Sequence, residues 1–485
     1  MSENVKNFKP NFSQETILNM DAISIANAIK SEKITSFEVV STFIEHAKKI
    51  NPLINAIVED RYDAAISEAL EKDNQTEKAD KGPLFGVPIS VKEAFQVANM
   101  KMTGGLVSRK HLIAREDAKV IKKLKSAGAI ILGKTNTPML CFCQETDNKL
   151  YGRTNNPWDV TRTPGGSSGG EGALLGAGGA AAGIGSDIGG SIRFPSHFNG
   201  VVGFKPGKFQ VSADGHFPSN SHALQERMSG MGPMGKSVRD MELLYGIIAD
   251  TPPAEQSLDD VNIEILSEDT NVPLSKKTKD MLDRMEQFLR TSFSVNRSIP
   301  PYFGSSARLW QEIMSMDGGR EMEKLVFNND RLNVLAAYAK EKLTKKTQIH
   351  PFLSWALIGA KLFKPSASRT REIENIVEQG DDRLADYLKN RLLIFPVYHT
   401  GAPTHGKVYQ EIFSIRKTFL QYMPYVAYAN VWGLPSLTIP AGTDENEMPI
   451  GVQIISMNGN ESAIFQLGKI VEDNVRGYVR SMKLD

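Results

Sequence analysis

Residues 165–206 read GGSSGGEGALLGAGGAAAGIGSDIGGSIRFPSHFNGVVGFKP, and the rest of the chain is best read outward from them. Glycine- and serine-rich runs are often solvated linkers. This one is interleaved with Ile184, Ile188, Ile192, Phe194, Val201, Val202 and Phe204. A linker would not carry that apolar load. The stretch is expected instead to be backbone held at close quarters, where only small side chains fit.

Towards the N-terminus, Gly82–Val91 (GPLFGVPISV) reads as a turn leading into a short buried strand, and Ala129–Leu132 (AIIL) as another. Between them, Ala118–Ser126 has helical spacing. Strand and helix alternating in this way argue for an α/β core. Farther out, Ile25, Ile29, Phe37, Val40, Phe43 and Ile44 recur on one side of Ile23–Lys48, with Asp21 and Ser36 as N-caps of two helices. Arg61–Lys72 reads as a further amphipathic helix. Towards the C-terminus, residues 252–393 are rich in charge and helix formers, as in SKKTKDMLDRMEQFLR from Ser275, and Ile394–Ile455 returns to strands and turns. No repeat or linker interrupts the chain, so one domain is expected. Its parts are an N-terminal helical segment (1–80), a core (82–250), a variable helical region (252–393) and a strand-and-helix part (394–485).

The 485 residues suffice to bury a core without staples. Lys and Arg number 57 against 56 Asp and Glu, a formal net charge of +1, which gives no footing for nucleic acid or a polybasic membrane anchor. The two cysteines, Cys141 and Cys143, allow no disulfide framework, and C-x-C alone is a weak metal motif, so neither metal nor cofactor is expected. The N-terminal MSENVKNFKPNF lacks the apolar h-region of a leader. No run reaches the roughly 18–20 apolar residues of a membrane span. A cytoplasmic location is expected, as a monomer or homodimer.

Three stretches carry chemistry: Lys92 with Glu93 after the apolar strand, Pro164–Glu171 (PGGSSGGE), and Ser186–Pro195 (SDIGGSIRFP). Gly165–Gly169 formally matches G-x-S-x-G, but the polar approach WDVTRTP is not the apolar strand a nucleophile elbow needs. Gly176-Ala177-Gly178 lacks both the preceding strand and the spacing of a dinucleotide fingerprint, and no Gly-Lys-Ser/Thr phosphate loop occurs in the stretch. Of the eight histidines, His197 is the one near Ser191 in sequence, and no acid pairs with it.

Together these stretches resemble the amidase-signature family. Seventy-five positions separate Lys92 from Ser167 and 24 separate Ser167 from Ser191. GVPISVKEAF from Gly86, GKTNTP from Gly133, NPWD from Asn156, GLPSLTIP and PIGVQI agree with it, over roughly Ala22–Ile455. The resemblance implies a mixed, twisted sheet with helices on both faces, and a triad of Ser191, Ser167 and Lys92 with the Gly166–Ser167 peptide in the cis form. A serine hydroxyl needs a base to take its proton. Ser191 would attack an amide carbonyl, with Ser167 relaying the proton to a Lys92 kept neutral by burial. The proton would return to the leaving nitrogen. The N–H groups of Ile188, Gly189 and Gly190 would face the oxyanion, Cys141 would line the substrate, and Ser168, Asp187 and Arg193 would hold the loops.

The strings FPVYHTGAPTHG and YANVWGLPSLTIPAG look most like the fatty acid amide hydrolase 2 branch and its bacterial relatives. They point to a small-molecule amide with an apolar acyl group. Phe352–Phe363 (FLSWALIGAKLF) is read three ways: a buried core helix, the cover of an acyl channel, or a membrane-surface contact. The family also contains the glutaminase subunit of the glutamyl-tRNA amidotransferase. A non-catalytic binding protein would be expected to have lost a member of the triad.

Overall fold

The computed structural model of the chain describes residues 12–75, 81–220, 222–251, 256–258, 261–270, 273–327, 333–413 and 420–485. The leader reading of the first eleven residues lies outside them. Thirteen strands are described: β1 (Ile57–Asp60), β2 (Pro88–Lys92), β3 (Ile130–Thr135), β4 (Asp147–Asn148), β5 (Gly152–Arg153), β6 (Ala182–Asp187), β7 (Val202–Lys205), β8 (Gly230–Gly235), β9 (Asn262–Leu266), β10 (Val295–Ser298), β11 (Arg391–Pro396), β12 (Ser436–Thr443) and β13 (Pro449–Ile455). Strands β4 and β5 form a small hairpin. The others build one sheet in the order β1-β3-β2-β6-β8-β7-β12-β13-β11-β9-β10.

The sheet is mixed. β2 runs parallel to both β3 and β6, and β9 runs parallel to β10 and β11, with antiparallel pairs between these blocks. Every residue of β2, β3, β6, β8 and β13 is buried, as expected of strands covered on both faces. Continuous burial explains why IILGKT and PISVK show no alternation in sequence.

Glycine sets how closely the layers approach. A Cβ at Gly183 of β6 would lie 2.1 Å from the Glu171 carboxylate, and one at Gly170 would lie 2.4 Å from the Asn136 backbone. The helix Gly169–Gly176 therefore packs onto the sheet at a distance that larger residues forbid. This is the close-quarters backbone expected of residues 165–206, and it brings Ser167 to the end of β2.

The sequence boundaries needed three corrections. Thr35, not Ser36, caps Ser36–Ile54: its hydroxyl accepts from Glu38 N–H while Glu38 reaches back to Thr35 N–H. Lys92 is the last residue of β2 rather than the residue after it. The region 252–393 is not wholly helical, because β9, β10 and the start of β11 lie inside it. Helix Pro351–Leu362 turns Leu353 and Leu357 into a core cluster with Leu106, Met139 and Leu140, while Leu362 is 74% exposed. Among the described residues no helix is long and apolar enough to cross a membrane.

Candidate active site

Lys92 ends β2 between β3 and β6, and its side chain is fully buried. Its Nζ lies 2.7 Å from Ser167 Oγ, 2.9 Å from Ser186 Oγ and 3.4 Å from the Ser186 carbonyl. Burial pushes the ammonium below the ordinary lysine range, against the pull of Cys141, Asp187 and Glu171. Glu171 lies on the same side of the sheet. Burial raises its carboxyl to about 7, although the Ser90 and Thr135 hydroxyls donate to it at 2.5 and 2.8 Å.

Ser167 precedes helix Gly169–Gly176, and the Gly166–Ser167 peptide is cis. A Cβ at Gly166 would meet Cys143 O and Glu145 N at 2.7 Å, so this turn tolerates only glycine there. Ser168 ties the two serine segments together. Its N–H donates to the Ser191 carbonyl at 3.1 Å and its hydroxyl to the Ser186 carbonyl at 3.3 Å. Three residues, Ile188 to Gly190, separate Ser191 from β6, and the Ser167 and Ser191 side chains line one cleft with Cys141. Among the described residues the Ser191 hydroxyl has no hydrogen-bond partner.

The turn is built around Asp187. Its carboxylate accepts from Gly190 N–H (2.8 Å), Ile192 N–H (3.0 Å), Arg193 Nε and Nη2 (3.0 and 2.9 Å) and Asn430 Nδ2 (2.9 Å). Burial alone would raise this carboxyl, but the Arg193 guanidinium and these donors hold it well below the carboxylate range. The Gly190 N–H, expected from the sequence to face a substrate, is therefore committed to Asp187. The Ile188 carbonyl accepts from the Trp310 indole at 2.7 Å, and the Gly189 carbonyl from Gln144 Nε2 at 3.2 Å. A peptide's N–H points opposite its carbonyl, so the Trp310 bond turns the Gly189 N–H the other way. Among the described residues the N–H groups of Ile188, Gly189 and Ser191 have no acceptor.

A family model described as Amidase matches residues 38–465. The chain belongs to the amidase family. Fatty-acid amide hydrolase 2-B of Danio rerio is 32% identical, with 91% of this chain and 86% of that one covered. Fatty-acid amide hydrolase 2 of Homo sapiens is also 32% identical, over 96% and 91%. Among solved structures, 6-aminohexanoate cyclic dimer hydrolase superposes with a TM-score of 0.80 at 22% identity, covering 96% of this chain and all of that one, a likeness of fold.

In this amidase the cleft encloses about 700 Å³, its open mouth included. Leu140, Phe142, Met314, Met322, Leu357 and Ala360 give it an apolar wall, and Asn220, Gln225, Ser229 and Asp317 supply polar groups. Helix Pro351–Leu362 thus has a core face and also contributes Leu357 and Ala360 to the cleft. His197 lies elsewhere: its ring accepts from Gly451 N–H at 2.9 Å and meets the Thr400 carbonyl at 2.9 Å, and burial lowers it to about 4. The histidine that does reach the cleft is His216, whose Nε2 is 2.9 Å from Ser186 Oγ. Sequence reasoning passed over it and over Trp310. DGHFP offers no motif, and Trp310 meets Ile188 across 122 positions. Among the described residues no group of three or more His, Cys, Asp or Glu is placed to hold a metal ion.

Proposed function

We propose that this amidase hydrolyses a carboxylic amide bearing an apolar acyl group, giving the acid and an amine or ammonia, through an acyl-enzyme on Ser191. The observation that carries this reading is the fully buried Lys92 amine 2.7 Å from Ser167 Oγ, in the cleft that Ser191 lines. Neutral Lys92 takes the Ser167 proton as Ser167 takes that of Ser191. The Ser191 oxygen then bonds to the amide carbon, and the carbonyl pair moves onto oxygen. The N–H groups of Ile188, Gly189 and Ser191 are available to receive that charge, which in a dry site is the largest single contribution to such catalysis. The proton returns through Ser167 to the leaving nitrogen, the C–N bond breaks, and water attacks the acyl-enzyme by the same relay.

Among the described residues the Ser191 hydroxyl has no hydrogen-bond partner, which fits a hydrogen bond that forms only when substrate seats. The apolar wall supports the acyl preference, and so does likeness to proteins named fatty-acid amide hydrolases. The test is a screen of the purified protein against primary amides of increasing acyl length, with glutamine as a separate arm. Turnover that rises with acyl length and is lost in Ser191→Ala is expected. Hydrolysis of glutamine with no activity on other amides would overturn the substrate reading.

A further inference from the structure

The Lys92 amine is ringed by groups whose hydrogen-bond directions can be worked out one at a time. His216 is held in place by backbone: Phe217 N–H donates to Ala94 O at 2.8 Å, Gln96 N–H to Gly215 O at 2.8 Å, and His216 N–H to Ala213 O at 3.0 Å. Gly215 has φ +83°, and a Cβ there would strike Ala118 at 2.6 Å. The His216 ring packs edge-on against Phe95 at 5.0 Å. Its Nδ1 is 3.2 Å from the Pro218 carbonyl, which can only accept, so Nδ1 carries the proton. Burial holds this imidazole well below its ordinary value, so the ring has one proton and Nε2 is an acceptor. The Ser186 hydroxyl, 2.9 Å away, must therefore donate to Nε2.

That direction decides what Lys92 can do. With its proton given to His216, Ser186 Oγ can only accept from Nζ, and the Ser186 carbonyl is an acceptor in any case. A neutral amine has two N–H bonds and one lone pair. Ser186 supplies an acceptor for each N–H bond, the Cys141 sulfur beside the amine is a weaker partner, and the lone pair is left for the hydroxyl at 2.7 Å, that of Ser167. We infer that His216 is a positioning residue of the hydrolytic site: by fixing the Ser186 proton away from Lys92, it reserves the Lys92 lone pair for Ser167. Without the ring, Ser186 can turn its own proton onto Lys92 and block the relay.

This inference rests on Lys92 being the base, and a double-mutant cycle separates the two claims. His216→Leu should lower kcat by about 10²-fold, the low end of what general-base catalysis supplies, with KM within about twofold. His216→Gln, whose amide oxygen can reach Ser186, should restore most of the loss. In a Ser186→Ala background, where no competing hydroxyl remains, His216→Leu should cost less than about twofold in kcat. Should His216→Leu not fold, His216→Asn runs the same cycle, because it keeps a donor for Pro218 and stops short of Ser186. An equal kcat loss in both backgrounds, or a His216→Leu enzyme with the parent's kcat, would overturn the inference while leaving Lys92 as base. Undiminished turnover in Lys92→Ala would instead remove the reading on which it rests.

Discussion

Residues 165–206 and residues 252–393 meet at the same cleft and bring different things to it. The first segment is fully buried over most of its length, with glycine wherever layers touch, and supplies Ser167, Ser186, the Asp187 turn and Ser191. The second lays Met314, Met322, Leu357 and Ala360 along the wall and sends Trp310 to the Ile188 carbonyl. On the proposed mechanism the first segment holds the reacting atoms, where displacement by an ångström is costly. The other shapes an apolar surface, where many residues of similar volume serve. If this division is right, substitutions in the first segment should depress every substrate alike. Those in the second should change which acyl group is preferred.

The largest effect should follow Ser191→Ala, with kcat lost by a factor on the order of 10⁴–10⁶ for all acyl lengths, measured on protein that keeps the parent's thermal midpoint. Lys92→Ala should lose on the order of 10²–10⁴ and also change the pH profile. Burial lowers the Lys92 pKa, so the amine is neutral at a lower pH than a free lysine. Activity should rise as pH rises through that value and fall below it. This acid limb of kcat/KM should disappear in Lys92→Ala.

Arg193→Met should cost stability, since it strands the Asp187 carboxylate, fully buried, without its charge partner. Breaking such a pair costs about 3–5 kcal/mol, to be read from denaturant unfolding. Leu357→Ala belongs to the other segment. It should leave kcat/KM for short amides near the parent value and move the preference towards longer acyl groups by about tenfold. A uniform loss across acyl lengths would break the division. The smallest effect should be that of Thr35→Ala, remote from both segments, which removes a capping box and costs about 1 kcal/mol with kinetics unchanged.

What could be read from the sequence follows the same division. Ser167 and Ser191 stand out because backbone crowding forces glycine around them, and glycine in that density is visible in a string of letters; Lys92 stands out at the end of an apolar run, and only the family resemblance joins it to the serines. β2 and β3 were legible as short apolar runs. β9 and β10 were not: VNRS is polar because β10 is an edge strand, and both lie between strong helix formers. The bond from Gly190 N–H to Asp187 was not legible, because sequence shows which residues neighbour Ser191 but not which way a peptide faces. That direction is set by the Asp187 carboxylate. His216 and Trp310 act through hydrogen bonds made 30 and 122 positions away, by a loop and a helix whose docking no local pattern encodes.

The central claim is that Ser191 carries the acyl group. Cys141 lines the same cleft and is the natural rival nucleophile. Acid-quenching the enzyme during turnover of an activated apolar amide and mapping the acyl mass by peptide mass spectrometry distinguishes the two. The adduct is expected on the peptide containing Ser191, absent in Ser191→Ala and retained in Cys141→Ala. An adduct on Cys141, or one that forms at the parent rate in Ser191→Ala, would contradict the account.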